Sequence, residues 1–359
     1  MRLTMHTFSF RSILRTDLAA LAFCGVVLVL CALMLPGAQA APAHASPVVI
    51  GKDGWLFTPY EFATEADKVD TEASLSMLQK AHALFAQRGI AMVLVLIPHK
   101  IRVYAHHLPD DKPLDAYTAQ KYDYAVQTLR AGGVPVVDLH KPFLTSPLRD
   151  SDTLLFFKTD THWTPTGAML AAERVRATFD ADPALRAALA ATPPAPFLLH
   201  RDAKPRASRT RDLARLLPAG TTAPPIERIL YYRVEREGGA GTANADPLAA
   251  ASTVAITAIG SSFTFSGTGY PDALRYTLQR DVLDISLPTD QGPWYGMDQY
   301  LRDASFRETP PKIILWEIPE RELRSPPNYP FRDPRYIVDN AKWLESLTEL
   351  LRPQGAAVR

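Results

Sequence analysis

Several short runs of this chain are almost wholly apolar, and amphipathic stretches separate them. Residues 91–97, 134–139, 253–259 and 313–318 show little polar alternation. Runs of that length suit strands buried on both faces, as in a parallel sheet. Between them, apolar positions recur every three or four residues, the period of a helix with one buried face. In residues 71–88, Leu75, Leu78, Ala81, His82 and Phe85 fall on one side, with Asp70 as the expected cap and Gly89 as the stop. Residues 114–130, 271–279 and 335–351 read as further helices. Another starts at Pro165, behind the good cap Thr164, and runs to about Phe179.

Strands alternating with helices predict an α/β fold: a mostly parallel sheet flanked by helices, in one domain over residues 41–359. Loop insertions interrupt it. Residues 180–222 are rich in Ala, Pro and Arg and read as an insertion with a helical piece at 211–217. A strand is expected at 229–234 and a glycine-rich flexible loop at 238–243. Near the start of the body, residues 48–57 read as two short strands around a Lys52-Asp53-Gly54 turn, a strong hairpin signal.

The first forty residues change the compartment. Residues 1–15 are basic, residues 18–35 are apolar, and Ala38-Gln39-Ala40 fits a small-x-small cleavage site. Residues 1–40 thus read as an export signal, with an uncleaved signal anchor as the alternative, since the run is about as long as the shortest membrane spans. Both readings put the body outside the cytoplasm. Cys24 and Cys31 are the chain's 2 cysteines, so the exported body carries no thiol nucleophile, disulfide or cysteine metal site. Without Arg2, Arg11, Arg15 and Asp17 the chain holds 36 basic and 37 acidic residues, which excludes the basic face that nucleic acid needs. His106 and His107 are adjacent and lack partners at ligand spacing, so neither a metal nor another cofactor is expected.

The candidate chemistry lies in Lys158-Thr159-Asp160-Thr161-His162-Trp163-Thr164-Pro165. In an extended backbone, positions i and i+2 point the same way, so Asp160 and His162 can face one pocket. An acid beside an imidazole is two thirds of a nucleophilic triad. A surface Asp and His before a helix cap would also fit. A serine turn, Gly260-Ser261-Ser262, follows the expected strand at 253–259 and raises the triad reading: strand then Gly-x-Ser is the geometry of a nucleophile turn. Loops after the carboxyl ends of parallel strands build α/β sites, which makes His99 and Lys100 further candidates. Asp138 ends another strand and reads as a turn or helix cap.

Four motifs in order, Gly51-Lys52-Asp53-Gly54-Trp55-Leu56-Phe57, then residues 159–168 around Asp160-Thr161-His162-Trp163, then Gly260-Ser261-Ser262-Phe263, then Trp316-Glu317-Ile318-Pro319-Glu320-Arg321, resemble the alginate O-acetyltransferases of the AlgJ/AlgX family. The resemblance spans essentially the whole exported body. It implies an SGNH-hydrolase-like fold in the periplasm, with the family's catalytic Asp, His and Ser matching Asp160, His162 and Ser262. Acid and base then precede the nucleophile, a rearrangement of the usual SGNH order. Too few residues follow the Trp316 strand for the carbohydrate-binding module of AlgX, so the layout is nearer AlgJ. Relatives also acetylate other exopolysaccharides, cellulose among them.

The resemblance implies O-acetylation of an exopolysaccharide, alginate-like or cellulose-like, through an acetyl-serine. Ser262 would attack the acetyl donor, His162 would take its proton, Asp160 would orient His162, and backbone N–H groups of the turn would hold the oxyanion. Trp163, Ser261, Lys100 and Arg321 are candidate acceptor contacts, with Trp55 as a possible stacking surface and Ser261 as a competing nucleophile. The implied partners are a polysaccharide acceptor and a membrane-bound acyltransferase that delivers acetyl groups. A secreted acetyl esterase with the same triad is one alternative. A polysaccharide-binding scaffold without catalysis is another.

Overall fold

A computed structural model describes residues 46–238, 254–288 and 290–352. The expected export segment 1–40, most of the 238–243 loop and the start of the 253–259 run lie outside the described residues. The five main strands are β1 (Ala91–Ile97), β2 (Val136–Asp138), β3 (Ile256–Gly260), β4 (Leu283–Ser286) and β5 (Ile313–Pro319). They form one sheet in the order β4-β3-β5-β1-β2, with all neighbours parallel. In register, Ile313 of β5 lies opposite Ala91 of β1 and Ile256 of β3. β5 is therefore the central strand, and every one of its residues is buried.

The continuous apolar runs follow from burial on both faces. Val93, Val95, Ile97, Leu315 and Ala258 face one layer, formed largely by α3 (Pro165–Ala181) and α4 (Tyr270–Leu278). Met92, Leu94, Leu96, Ile314 and Trp316 face the other. That layer is built from α1 (Lys68–Gln87), α2 (Ala116–Ala131), α5 (Gly292–Arg302) and α6 (Asn340–Leu350). Among the described residues no helix is long and apolar enough to cross a membrane.

Several boundaries differ from the sequence reading. α1 starts at Lys68, and a short 3₁₀ turn before it closes when the Thr64 N–H donates to the Asp67 carboxylate at 2.8 Å, so Asp70 lies inside the first turn and caps nothing. α6 begins only at Asn340, where the Asp339 carboxylate accepts the N–H groups of Ala341 and Lys342. The expected helix at 211–217 is one 3₁₀ turn, Leu213–Leu216. The segment around it forms two antiparallel ribbons, Phe197–Arg201 with Tyr232–Arg236, and Arg206–Ala207 with Arg228–Ile229. The strand expected at 229–234 is thus divided between them. Asp138 does cap the following turn, accepting the His140 N–H at 3.0 Å. The N-terminal hairpin pairs Val49–Ile50 with Leu56–Phe57, and Asp53 (φ 54°) and Gly54 (φ 78°) make the left-handed turn.

Candidate active site

The acid and base sit near the end of the long connection between β2 and α3, just ahead of α3. Phe156 and Trp163 face each other across an antiparallel bridge, and the Thr164 N–H donates to Leu155 O at 2.9 Å. This pins both ends of a bent loop, residues 158–162. Thr164 then caps α3 by accepting the Gly167 N–H at 3.2 Å. Gly167 is required here by close approach, because a Cβ would stand 2.1 Å from Leu155 O. His162 lines the cleft, whereas Asp160 is buried behind it, and the two meet through a bend rather than extended alternation. The loop bends because the His162 N–H donates to Asp160 Oδ1 at 3.0 Å. Such a side-chain turn is a usual role for Asp.

Asp160 Oδ1 lies 2.7 Å from His162 Nδ1, and His162 Nε2 lies 2.8 Å from Ser262 Oγ. Burial opposes ionisation of Asp160, yet the hydrogen bond and charge of His162, with the N–H groups of Asp212 and His162, hold its pKa at about 2. An ionised Asp160 accepts, so Nδ1 carries the proton and Nε2 is left to accept from the serine hydroxyl. This is the arrangement a general base needs.

The insertion completes the acid side, and the sequence reading missed this. Asp212 N–H donates to Asp160 Oδ2 at 2.9 Å, while its own carboxylate accepts the Thr161 N–H at 2.7 Å. Asp212 Oδ2 stands 3.8 Å from His162 Nδ1. Burial, then the charge of Asp160, push the Asp212 carboxyl upward. A cap-like Asp ahead of the apolar Leu213–Leu216 was the available sequence signal. Oxygens of Asp160 and Asp212 and a nitrogen of His162 lie within 4.8 Å of one another, close enough for a cation. A metal on Nδ1 would displace Asp160 from it, and one on Nε2 would displace Ser262, so the same atoms cannot serve both uses.

Ser262 sits just beyond β3. Ser261 does not face the cleft: its hydroxyl donates to Glu317 Oε2 at 2.9 Å and its N–H to the same oxygen at 2.7 Å. This hydroxyl is turned away from His162, and the N–H is not available to an oxyanion. Thr264 Oγ1 also donates to Glu317 Oε2, at 3.0 Å. Burial raises the Glu317 carboxyl to about 7, against these hydrogen bonds and the charge of Arg321. Gly260 has a specific reason as well: a Cβ there would stand 2.3 Å from Glu317 Oε2 and 2.4 Å from Thr264 Oγ1. Close approach, rather than a positive φ, demands the glycine.

Three other candidates are not placed as acceptor contacts. Lys100 is 1% exposed, and its ammonium donates to Leu56 O (2.6 Å), Lys158 O (2.9 Å) and Asp160 O (3.0 Å). It ties the hairpin to the acid–base loop. Burial lowers its pKa to about 8, against the pull of nearby carboxylates. Trp163 is fully buried, packed 5.2 Å from Phe263 and 4.8 Å from Tyr270, so it offers a sugar no open face. Arg321 lies nearly buried over the Phe263 ring at 5.7 Å, with Glu322 at 3.9 Å. Trp55 is core, 3.9 Å from Tyr104, and His99 is buried beside Glu320.

A cleft of about 740 Å³ opens over Ser262 and His162. Phe157, Tyr231 and Phe265 give it aromatic walls, and the insertion adds Arg206 and Arg209. None of the last four was legible: Arg206, Arg209 and Tyr231 lie in or beside short ribbons with no strong apolar period, and Phe265 follows the serine turn outside any motif.

Comparison with known proteins agrees with this architecture. A family model described as "SGNH hydrolase-like domain, acetyltransferase AlgX" matches residues 48–320. The probable alginate O-acetylase AlgJ of Pseudomonas syringae pv. tomato is 30% identical over 299 residues, covering 82% of this chain and 74% of that protein. Among solved structures, the O-acetyltransferase domain of Pseudomonas putida AlgJ superposes with a TM-score of 0.67 at 24% identity, over 84% of this chain and 98% of that one. Pseudomonas aeruginosa AlgX superposes with a TM-score of 0.58 at 21% identity, over 76% of this chain and 61% of that one. These two likenesses speak for the fold: a parallel α/β sheet of the SGNH-hydrolase kind.

Proposed function

Since the chain belongs to the AlgX family of SGNH hydrolase-like acetyltransferases, and is an O-acetyltransferase, we propose that it acetylates hydroxyls of an exopolysaccharide through an acetyl-Ser262 intermediate. The observation that carries this reading is the continuous relay from Ser262 Oγ through His162 to Asp160 at the floor of an open cleft. Ser262 Oγ attacks the acetyl carbonyl carbon as His162 Nε2 takes its proton. The tetrahedral adduct expels the donor's leaving oxygen, which departs with that proton. A sugar hydroxyl then gives its proton to Nε2 and attacks the acetyl carbon. Collapse returns the acetyl group to the sugar and the proton to Ser262. Asp160, ionised throughout, stabilises the imidazolium in both halves.

Arg206 and Arg209 favour an anionic acceptor, and the AlgJ relatives are named for alginate, so an alginate-like chain is the proposed substrate. The basic start, apolar run and Ala38-Gln39-Ala40 support action in the periplasm, with the acetyl donor delivered through a membrane-bound acyltransferase. The test incubates the purified protein with a chromogenic acetyl ester and either mannuronate or cellulose oligomers, and reads oligomer mass. Ser262-dependent acetylation of mannuronate is expected, and Ser262→Ala should lose it while folding normally. Retained transfer in Ser262→Ala would remove the mechanism. Acetate release indifferent to any acceptor would replace the transferase with an esterase, and no turnover at all would favour a scaffold.

A further inference from the structure

Resting on the reading of Ser262 as nucleophile, we infer that Glu317 is its positioning residue: the carboxyl group of the central strand holds the turn that presents Ser262 to His162. Glu317 is fully buried in a strand whose other residues are apolar. A carboxyl at such a place is costly unless its oxygens are hydrogen-bonded, and nothing in the sheet's own pairing asks for one. A leucine there would pack as its neighbours do. What Glu317 does instead is bind the turn.

The N–H and hydroxyl of Ser261 and the hydroxyl of Thr264 all donate to it. The turn is held from the opposite side too. Leu287 N–H donates to Gly260 O at 2.9 Å, and the Ser286 hydroxyl donates to Ser261 O at 3.0 Å. Thr264 N–H closes the turn onto the same carbonyl at 3.0 Å. β3 is thus flanked by β5, whose Glu317 accepts from Ser261, and by β4, whose Ser286 donates to it, so both neighbours hold the residue just before Ser262. Ser261 has no polar group left to rotate freely. Its fixed backbone sets the direction of the next Cα–Cβ bond, and with it the 2.8 Å approach of Ser262 to His162.

Glycine at 260 is part of the same device, because only without a Cβ can the Glu317 carboxyl lie against the strand end. A small, mostly apolar pocket of about 20 Å³, with Ile259, Leu287 and Trp316 in its walls, lies beside it. Arg321, over the Phe263 ring, adds a positive charge that acts on the Glu317 carboxyl. The carboxyl touches no reacting atom in this scheme. It acts through Ser261.

The experiment follows reaction of Ser262 with a p-nitrophenyl alkylphosphonate, which needs no sugar acceptor and releases nitrophenolate once per nucleophile. Ser262→Ala supplies the blank. Glu317→Leu is expected to slow labelling by roughly a hundredfold, the scale of loss from a small misplacement of a reacting group. With a chromogenic acetyl ester the loss should fall on kcat and leave KM nearly unchanged. Glu317→Gln keeps an oxygen for the Ser261 N–H and Thr264 hydroxyl, and should restore most of the rate. Should Glu317→Leu fail to fold, the double variant Ser261→Ala/Thr264→Val removes two of the donated hydroxyls without touching Glu317, and should also slow labelling. A folded Glu317→Leu or double variant reacting at the wild-type rate would overturn the proposal, as would Glu317→Gln no faster than Glu317→Leu. Wild-type protein left unlabelled at Ser262 would overturn the nucleophile reading first, and that control tells the two failures apart.

Discussion

Among single residues, Asp160 shows how geometry and charge combine. Its two oxygens accept from His162 Nδ1, His162 N–H and Asp212 N–H, and it stays ionised near a pKa of about 2 although buried. Asp160→Asn should leave the fold intact. It should cost kcat on the order of 10³–10⁴-fold at neutral pH, because an amide can donate to Nδ1 and so fix the wrong tautomer. Steady-state hydrolysis of an acetyl ester reads this directly, and a loss of less than about tenfold would deny Asp160 its role. The pair itself was visible in the sequence two positions apart, and the serine turn was visible after its strand. What holds them was not. Asp212 and Glu317 reach the site from segments far along the chain, and no local pattern announces such contacts. Glu317 did leave a trace, an acid in a run that is otherwise apolar. Lys100 misled for the same reason: a lysine after a strand reads as solvated until three carbonyls from two other segments surround it.

Among elements, the joint between the N-terminal hairpin, the acid–base loop and the insertion is the least conventional part of the fold. Lys100 Nζ joins hairpin and loop, and Ala214 N–H donates to Thr159 O at 3.2 Å from the insertion. Thr159 N–H in turn donates to Glu227 Oε1 at 2.6 Å. Leu213 packs with Val48 and Leu56 in a small separate core. Lys100→Met should strand the buried carbonyls of Leu56 and Asp160, each worth about 1–3 kcal/mol when left without a donor, while Lys158 O keeps the Leu56 N–H. A fall of about 2 kcal/mol or more in urea-measured stability is therefore expected, together with lost activity from a loosened loop. A change under about 1 kcal/mol would mean that water replaces the ammonium. The long apolar runs located β1 and β5 from sequence to within a residue, because burial on both faces erases polar alternation, while β3 begins only at Ile256, three residues into its run. β4 and α5 escaped notice. β4 is an edge strand with every residue half-buried, and Gly292, Pro293 and Gly296 dilute the helical signal of α5.

For the whole molecule, buried carboxyls give stability two opposite dependences on pH. Asp160 and Glu320 are held near 2, so their contribution is present above the ordinary carboxyl range and is lost as pH falls toward that value. For Glu320, burial works against ionisation while His99, Arg102 and Lys121 win. Glu317 runs the other way. Raised by burial from 4.5 to about 7, it favours the folded state fully below 4.5 and loses that contribution as pH rises through 7. His99, buried and held well below its ordinary value, opposes this trend over part of the same range. The absolute curve therefore mixes signs, but a difference between two proteins isolates one group. Glu317→Gln cannot ionise, so relative to wild type it should gain about 3 kcal/mol of stability between about pH 5 and about pH 8. Urea midpoints at the two pH values measure this, and a difference that does not change with pH would show that Glu317 does not titrate there. The expected result has a consequence for why the acid is retained. At the pH where it is ionised, Glu317 weakens the fold that carries it, and an apolar residue would serve the core better. On the proposed mechanism, a carboxyl at such a cost beside the Ser262 turn trades stability for placement of the Ser262 hydroxyl.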